Sequence, residues 1–148
     1  MLTYIGSSVL ACAYLPDEPG HRRARDLIES SDHLLVTGTL TVVEVTGVLV
    51  RASRAHRLLE LDNALAVLAS DLGEDGPVTL VAAARDSVEL RATEIVYTHA
   101  LRALDALHLA VAELAAVPLL DSPGDKLGFA SRDISQSEAA LALGFIPV

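Results

Sequence analysis

The sequence predicts an α/β domain: one short central parallel sheet with helices on both of its faces. Short apolar runs of strand length alternate with stretches of helical period along the chain, the pattern of a sheet built from crossover units. A length of 148 residues suits one compact core and is short for two ordinary domains. No repeat, low-complexity tract or linker divides the chain, so residues 1–148 read as a single domain.

Taken in order, residues 2–5 form a buried strand that runs at once into Gly6-Ser7-Ser8 and an apolar helix through Leu15. Pro16-Asp-Glu-Pro-Gly20 is a loop, and a helix follows over 21–30. Residues 34–37 make the second strand, which Gly38 breaks, and a helix beginning at Thr39 or Thr41 runs on to Arg57. Leu58, Leu61, Leu65, Leu68 and Leu72 recur at three- and four-residue steps and mark another amphipathic helix, ended by 73–77. Residues 78–81 are the third strand, and 84–98 and 101–116 are helical. Residues 118–121 offer a fourth strand or an edge segment, and 127–131 a further strand. A helix over 134–143 stops at Gly144, and 145–148 form a terminal strand. In a sheet of this kind ligands bind beyond the carboxyl ends of the strands, where Gly6 and the turn after Ser131 both fall.

Composition narrows the function classes. The chain is 51% hydrophobic yet carries a formal charge of −9, an acidic globule with no apolar run of bilayer length. Its first residues already read as a strand and lack the basic start of a secretion signal. A lone cysteine, Cys12, excludes an internal disulfide framework and fits a reducing cytoplasm. Aromatic residues make up 3% and Trp is absent, so no platform exists for stacking bases. The acidic balance argues against broad electrostatic capture of nucleic acid, although basic clusters occur at 21–25 and 51–57.

Three carboxylates stand out by context. Asp105 lies in Leu101-Arg-Ala-Leu-Asp-Ala-Leu-His-Leu-Ala110, an apolar helical run in which an ionised acid needs a partner, either Arg102, His108 or a metal. Glu44 follows the second strand; Thr41-Val-Val-Glu44 also has the form of a capping box. Asp133 sits between a strand and a helix, a natural N-cap position as well as a ligand-binding one. Asp121 is the runner-up to Asp133. Acids from separate elements near strand ends suit a hard divalent cation, Mg²⁺ or Mn²⁺, which could polarise a phosphodiester and activate water. Cysteine spacing for zinc and a P-loop are both missing. A receiver-type signalling domain would need paired acids after the first strand, and Gly6-Ser7-Ser8 supplies none.

These segments together resemble a PIN domain, and more narrowly a bacterial VapC toxin. The first strand with Gly6-Ser7-Ser8 is similar to the family's opening strand and its Asp-(Ser/Thr)-Ser. Leu40-Thr-Val-Val-Glu44 is similar to the segment bearing its second acid, and the run from Leu101 to Ala110 to its most distinctive stretch. Ala130-Ser-Arg-Asp133 resembles its last strand and acid. The resemblance covers the whole chain in order. It implies a metal-dependent endoribonuclease, usually dimeric, that cleaves structured RNA such as tRNA or rRNA and is silenced by a VapB-like antitoxin. Carried over by position, Glu44, Asp105 and Asp133 would hold Mg²⁺ or Mn²⁺, with Ser8 and Ser131 as supporting polar residues. Gly6 departs from the pattern, because the family's first aspartate belongs there. Loss of a ligand carboxylate implies a feeble or inactive nuclease, or a degenerate PIN domain that binds RNA or antitoxin without cutting.

Overall fold

The structure is a computed structural model and describes residues 1–30 and 32–148. Five parallel strands form the sheet: β1 (Leu2–Ile5), β2 (Leu34–Gly38), β3 (Val78–Val81), β4 (Gly128–Ala130) and β5 (Ile146–Pro147), in the order β3-β2-β1-β4-β5. The helices are α1 (Ser7–Cys12), α2 (His21–Glu29), α3 (Leu40–Arg54), α4 (Leu61–Asp71), α5 (Arg85–His99), α6 (Ala103–Val111) and α7 (Ile134–Ala142). The expected parallel α/β sheet, covered on both faces, is therefore present. No helix among the described residues is long and apolar enough to cross a membrane.

Strand pleating sends alternate residues to opposite faces, and each face receives its own core. Ile5, Leu35 and Ala130 pack with Leu10, Ile28, Leu49 and Leu68 under α1 to α4. Tyr4, Val36 and Phe129 pack with Ile95, Leu109 and Phe145 under α5 to α7. Tyr4, Phe129 and Phe145 form a stacked column, with ring centroids 5.4 and 5.9 Å apart. Leu58 and Leu68 are buried in the core under α1 to α4, so that part of the leucine repeat serves that core.

The chain builds outward from β1 through β2 to β3, then crosses back to place β4 on the other side of β1. The direction reverses at the β1–β4 border, which opens a crevice at the carboxyl ends of those strands.

Several boundaries differ from expectation: the first helix ends at Cys12 and not Leu15, α3 at Arg54 and not Arg57, and three further differences have a local cause. Residues 118–121 form no strand: Val117–Leu119 is a 3-10 turn, in which Pro118 has no N–H to offer a ladder. The helix expected from Leu101 begins at Ala103, because α5 ends on Ala100 in the left-handed region (φ 53°) and Arg102 is extended. It continues past α6 as one π-helical turn over Ala112–Ala116. The capping box is also absent: α3 starts at Leu40, and the Thr41 hydroxyl lies inside the helix 2.8 Å from that of Thr37.

Candidate active site

The crevice is framed from below by Gly6 and Ser131, which follow β1 and β4. The Gly6 N–H donates to the Ala130 carbonyl at 2.9 Å and ties the two strand ends together. Gly6 itself has φ −75° and ψ 157°, a conformation open to any residue, so no backbone demand explains a glycine here. Its missing Cβ would lie 3.1 Å from the Ala130 oxygen and 3.7 Å from Gln136 Oε1.

Asp133 is the N-cap of α7, accepting the Gln136 N–H through Oδ1 at 2.8 Å. Its own N–H donates to Ser131 Oγ at 3.0 Å, and Ser8 Oγ accepts the Arg132 N–H at 3.0 Å. Ser8 and Ser131 thus hold the turn that presents Asp133. Gln136, buried to 3% exposure, is a site residue that sequence reading missed. Its side chain accepts from Ser131 Oγ at 2.7 Å and donates to the Asp105 carbonyl at 3.1 Å, joining α7 to α6. The spacing Asp133-x-x-Gln136, an N-cap followed by glutamine, was its available signal.

Asp105 projects from the first turn of α6, where the positive end of the helix dipole favours a carboxylate. The later start of this helix, at Ala103 and not Leu101, is what brings Asp105 into its first turn. Burial pushes its carboxyl above the ordinary range, and the charges of Asp133 and Glu44 push the same way, opposed by Arg102 and His108. The three acids therefore share one electrostatic environment. Arg102 spans two of them, with Nε 3.4 Å from Asp105 Oδ2 and a terminal nitrogen 3.3 Å from Asp133 Oδ2. The Arg102 side chain is 83% exposed, so this cation is held loosely.

Glu44 meets a different partner. His108, almost fully buried, places Nε2 2.5 Å from Glu44 Oε2 and Nδ1 2.9 Å from the Tyr4 hydroxyl. That hydroxyl already accepts the Gly38 N–H at 3.0 Å, so its proton is free to point at Nδ1. Nε2–H then donates to the carboxylate, and no buried side-chain nitrogen or oxygen among the described residues lacks a partner. Burial works to raise the Glu44 carboxyl. The hydrogen bond from His108, that ring's charge when protonated, and the Ser7 hydroxyl outweigh it and hold Glu44 below the ordinary range.

The donors suit a divalent ion in kind, being hard oxygens around an acid with excess negative charge. They fall short in number. Among the described residues no three acidic, histidine or cysteine side chains converge as a metal site. Arg102 bridges two acids, His108 holds the third, and position 6 contributes nothing. Asp121 lies elsewhere, lining a hollow with Met1 and Leu34 at the start of β1 and β2.

The sequence profile of the PIN domain matches residues 4–131, most of the chain. The chain belongs to the PIN domain family. PIN domains are generally nucleases, and the five-stranded parallel sheet is the fold that this membership requires. A solved structure described as a toxin–antitoxin complex from Klebsiella pneumoniae is similar at 14% identity and a TM-score of 0.47. That likeness covers 88% of this chain and 86% of the other. No curated protein matches the sequence.

Proposed function

We propose that this PIN domain is an endoribonuclease of the VapC toxin type, weakened by glycine at position 6. In this reading Glu44, Asp105 and Asp133 serve Mg²⁺ or Mn²⁺, and structured RNA such as tRNA or rRNA is the substrate. A VapB-like antitoxin silences the protein in the cytoplasm, and the working form is a homodimer. The observation that supports the reading best is the placement of acids from three separate elements beside the β1–β4 crevice of a PIN fold, with Asp105 and Asp133 bridged by Arg102 and Glu44 bonded to His108 of the same helix as Asp105.

Position 6 stands ready for an aspartate. Its dihedrals suit one, it is the N-cap of α1, where aspartate is preferred to glycine, and the Ala130 carbonyl need yield by only a few tenths of an ångström. The test is RNA cleavage by this chain beside Gly6→Asp, each with Mg²⁺, with Mn²⁺ and with chelator. Metal-dependent cutting by the variant, with little from the parent, is the expected outcome. If neither form cuts any RNA, the nuclease reading fails.

A second reading, a binding module, is favoured by the way Arg102 and His108 already balance the acids. It requires RNA or antitoxin binding that does not change when metal is added or removed.

A further inference from the structure

A cavity of about 210 Å³ opens at the carboxyl ends of β2 and β3, beside the acid crevice. Its walls are apolar, with Val81, Val88, Leu107 and Val111. Tyr4 and His108 also line it, their polar atoms engaged with each other, with the Gly38 N–H and with Glu44. Thr39 and Arg85 stand at its rim. Among the described residues the Thr39 side chain makes no cap hydrogen bond, and Arg85 is 86% exposed and held only by Glu89.

We propose that this cavity is a base-binding subsite, which takes one unstacked nucleobase of the RNA whose phosphate lies at the acids. Three observations converge on it. The first is position: His108 lines the cavity and bonds Glu44 at 2.5 Å, so one side chain separates this space from a site acid. Neighbouring strands lie about 5 Å apart, which sets the offset from the β1–β4 border to the cavity over β2 and β3 at one or two strand widths. The second is size and lining. The volume is below the roughly 300–1,000 Å³ of sites for drug-sized ligands, which suits a ring system better than a whole nucleotide. Apolar walls with a few polar groups are what an extruded base meets in enzymes that read single nucleotides.

The third observation is energetic. A chain of net charge −9 gains little from phosphate contacts, so specific RNA binding must draw on the bases. Trp is absent, and Tyr4 and Tyr14 are buried, so neither ring offers an open face for stacking; Tyr97 on α5 is the exposed aromatic. A partly open apolar cleft is a place where a base can lose part of its water and meet apolar surface.

This inference rests on the ribonuclease reading, and its test separates the two. Isotope-labelled full-length chain is titrated, without metal, with adenosine, guanosine, cytidine and uridine monophosphates and followed by amide shifts. Saturable shifts at Thr39, Ala83 and Leu107, with one base bound most tightly, are expected. Leu107→Trp and Ala83→Phe alter half-buried lining side chains at the edge of the core, and each should weaken that binding about tenfold or more in a variant that still melts cooperatively. No saturation below about 10 mM, or equal affinity in both folded variants, overturns the subsite. The same substitutions are then added to Gly6→Asp and assayed on RNA. Cleavage with unaltered base preference removes the subsite and leaves the ribonuclease. Nucleotide binding in the cavity by a Gly6→Asp protein that cuts nothing keeps the subsite and removes the ribonuclease.

Discussion

Gly6 and Gly38 both follow the sheet's carboxyl edge, yet an added methyl would meet different surroundings. At Gly38 a Cβ would fall 2.9 Å from the Tyr4 hydroxyl and 3.2 Å from Val111 Cγ1, so Gly38→Ala must push Tyr4 away from His108. We expect a loss of about 1–3 kcal/mol, the usual cost of overpacking, seen as a lower urea midpoint at constant slope. Gly6→Ala meets the Ala130 carbonyl at 3.1 Å and Gln136 Oε1 at an ordinary 3.7 Å, and gains from a stiffer unfolded chain. Its midpoint should stay within about 1 kcal/mol of the parent. Glu44 and Asp105 give a second contrast, in pH. Glu44 is held low when folded, so between its folded and unfolded values the native state binds fewer protons. Its contribution is present above the unfolded value, near 4.5, and is lost as pH falls through the lower folded one. Asp105 is held high, so its ionisation detracts from stability as pH rises past the unfolded value of 3.8. Glu44→Gln should therefore destabilise the protein at neutral pH and Asp105→Asn should stabilise it. Urea midpoints measured across the acid range decide this, and shifts of the same sign would contradict the assigned environments.

Among the elements, α7 and α6 show how local structure and site chemistry share residues. Asp133 both caps α7 and faces Arg102, so activity lost on Asp133→Ala would mix a weakened helix with a missing charge. Asparagine caps nearly as well as aspartate. Asp133→Asn should thus keep its melting behaviour while Asp133→Ala loses about 1 kcal/mol, and only the asparagine form reads the charge cleanly in an RNA assay. The strands were legible in the sequence because each is a short apolar run set between helices, with Gly6, Gly38 and Pro77 as punctuation. The start of α6 was not, since Ala100 adopts a left-handed conformation without the glycine that would announce it. The pattern Thr41-x-x-Glu44 misled for a related reason: spacing alone does not tell a cap from a buried threonine bonded to the strand beneath it. The acids were legible as acids out of place. Their partners were not, because Glu44 and His108 lie 64 positions apart, and Tyr4 and His108 lie 104 apart. Only the order of strands brings them together.

For the molecule as a whole, charge decides how it can hold RNA. Arg25, Arg57, Arg85, Arg91, Arg102 and Arg132 are each tied to a carboxylate, which leaves few cations without an ion pair among the described residues of a chain of net charge −9. Phosphate contacts release counterions, and each contact on a single strand adds about 0.7 to the slope of log affinity against log salt. Two or three contacts give a slope of roughly −2, so affinity should fall by about an order of magnitude between 50 and 200 mM salt. A basic RNA-binding face would lose several orders over the same range. The measurement is equilibrium binding of a short unstructured RNA to the parent chain in chelator, where no cleavage intervenes. A shallow slope means that the bases carry the affinity, as a pocket beside His108 requires. A slope steeper than about −5 would mean that the arginines at 22, 23, 51 and 54, which have no ion pair among the described residues, form a phosphate-tracking surface, and that recognition on this fold begins with charge.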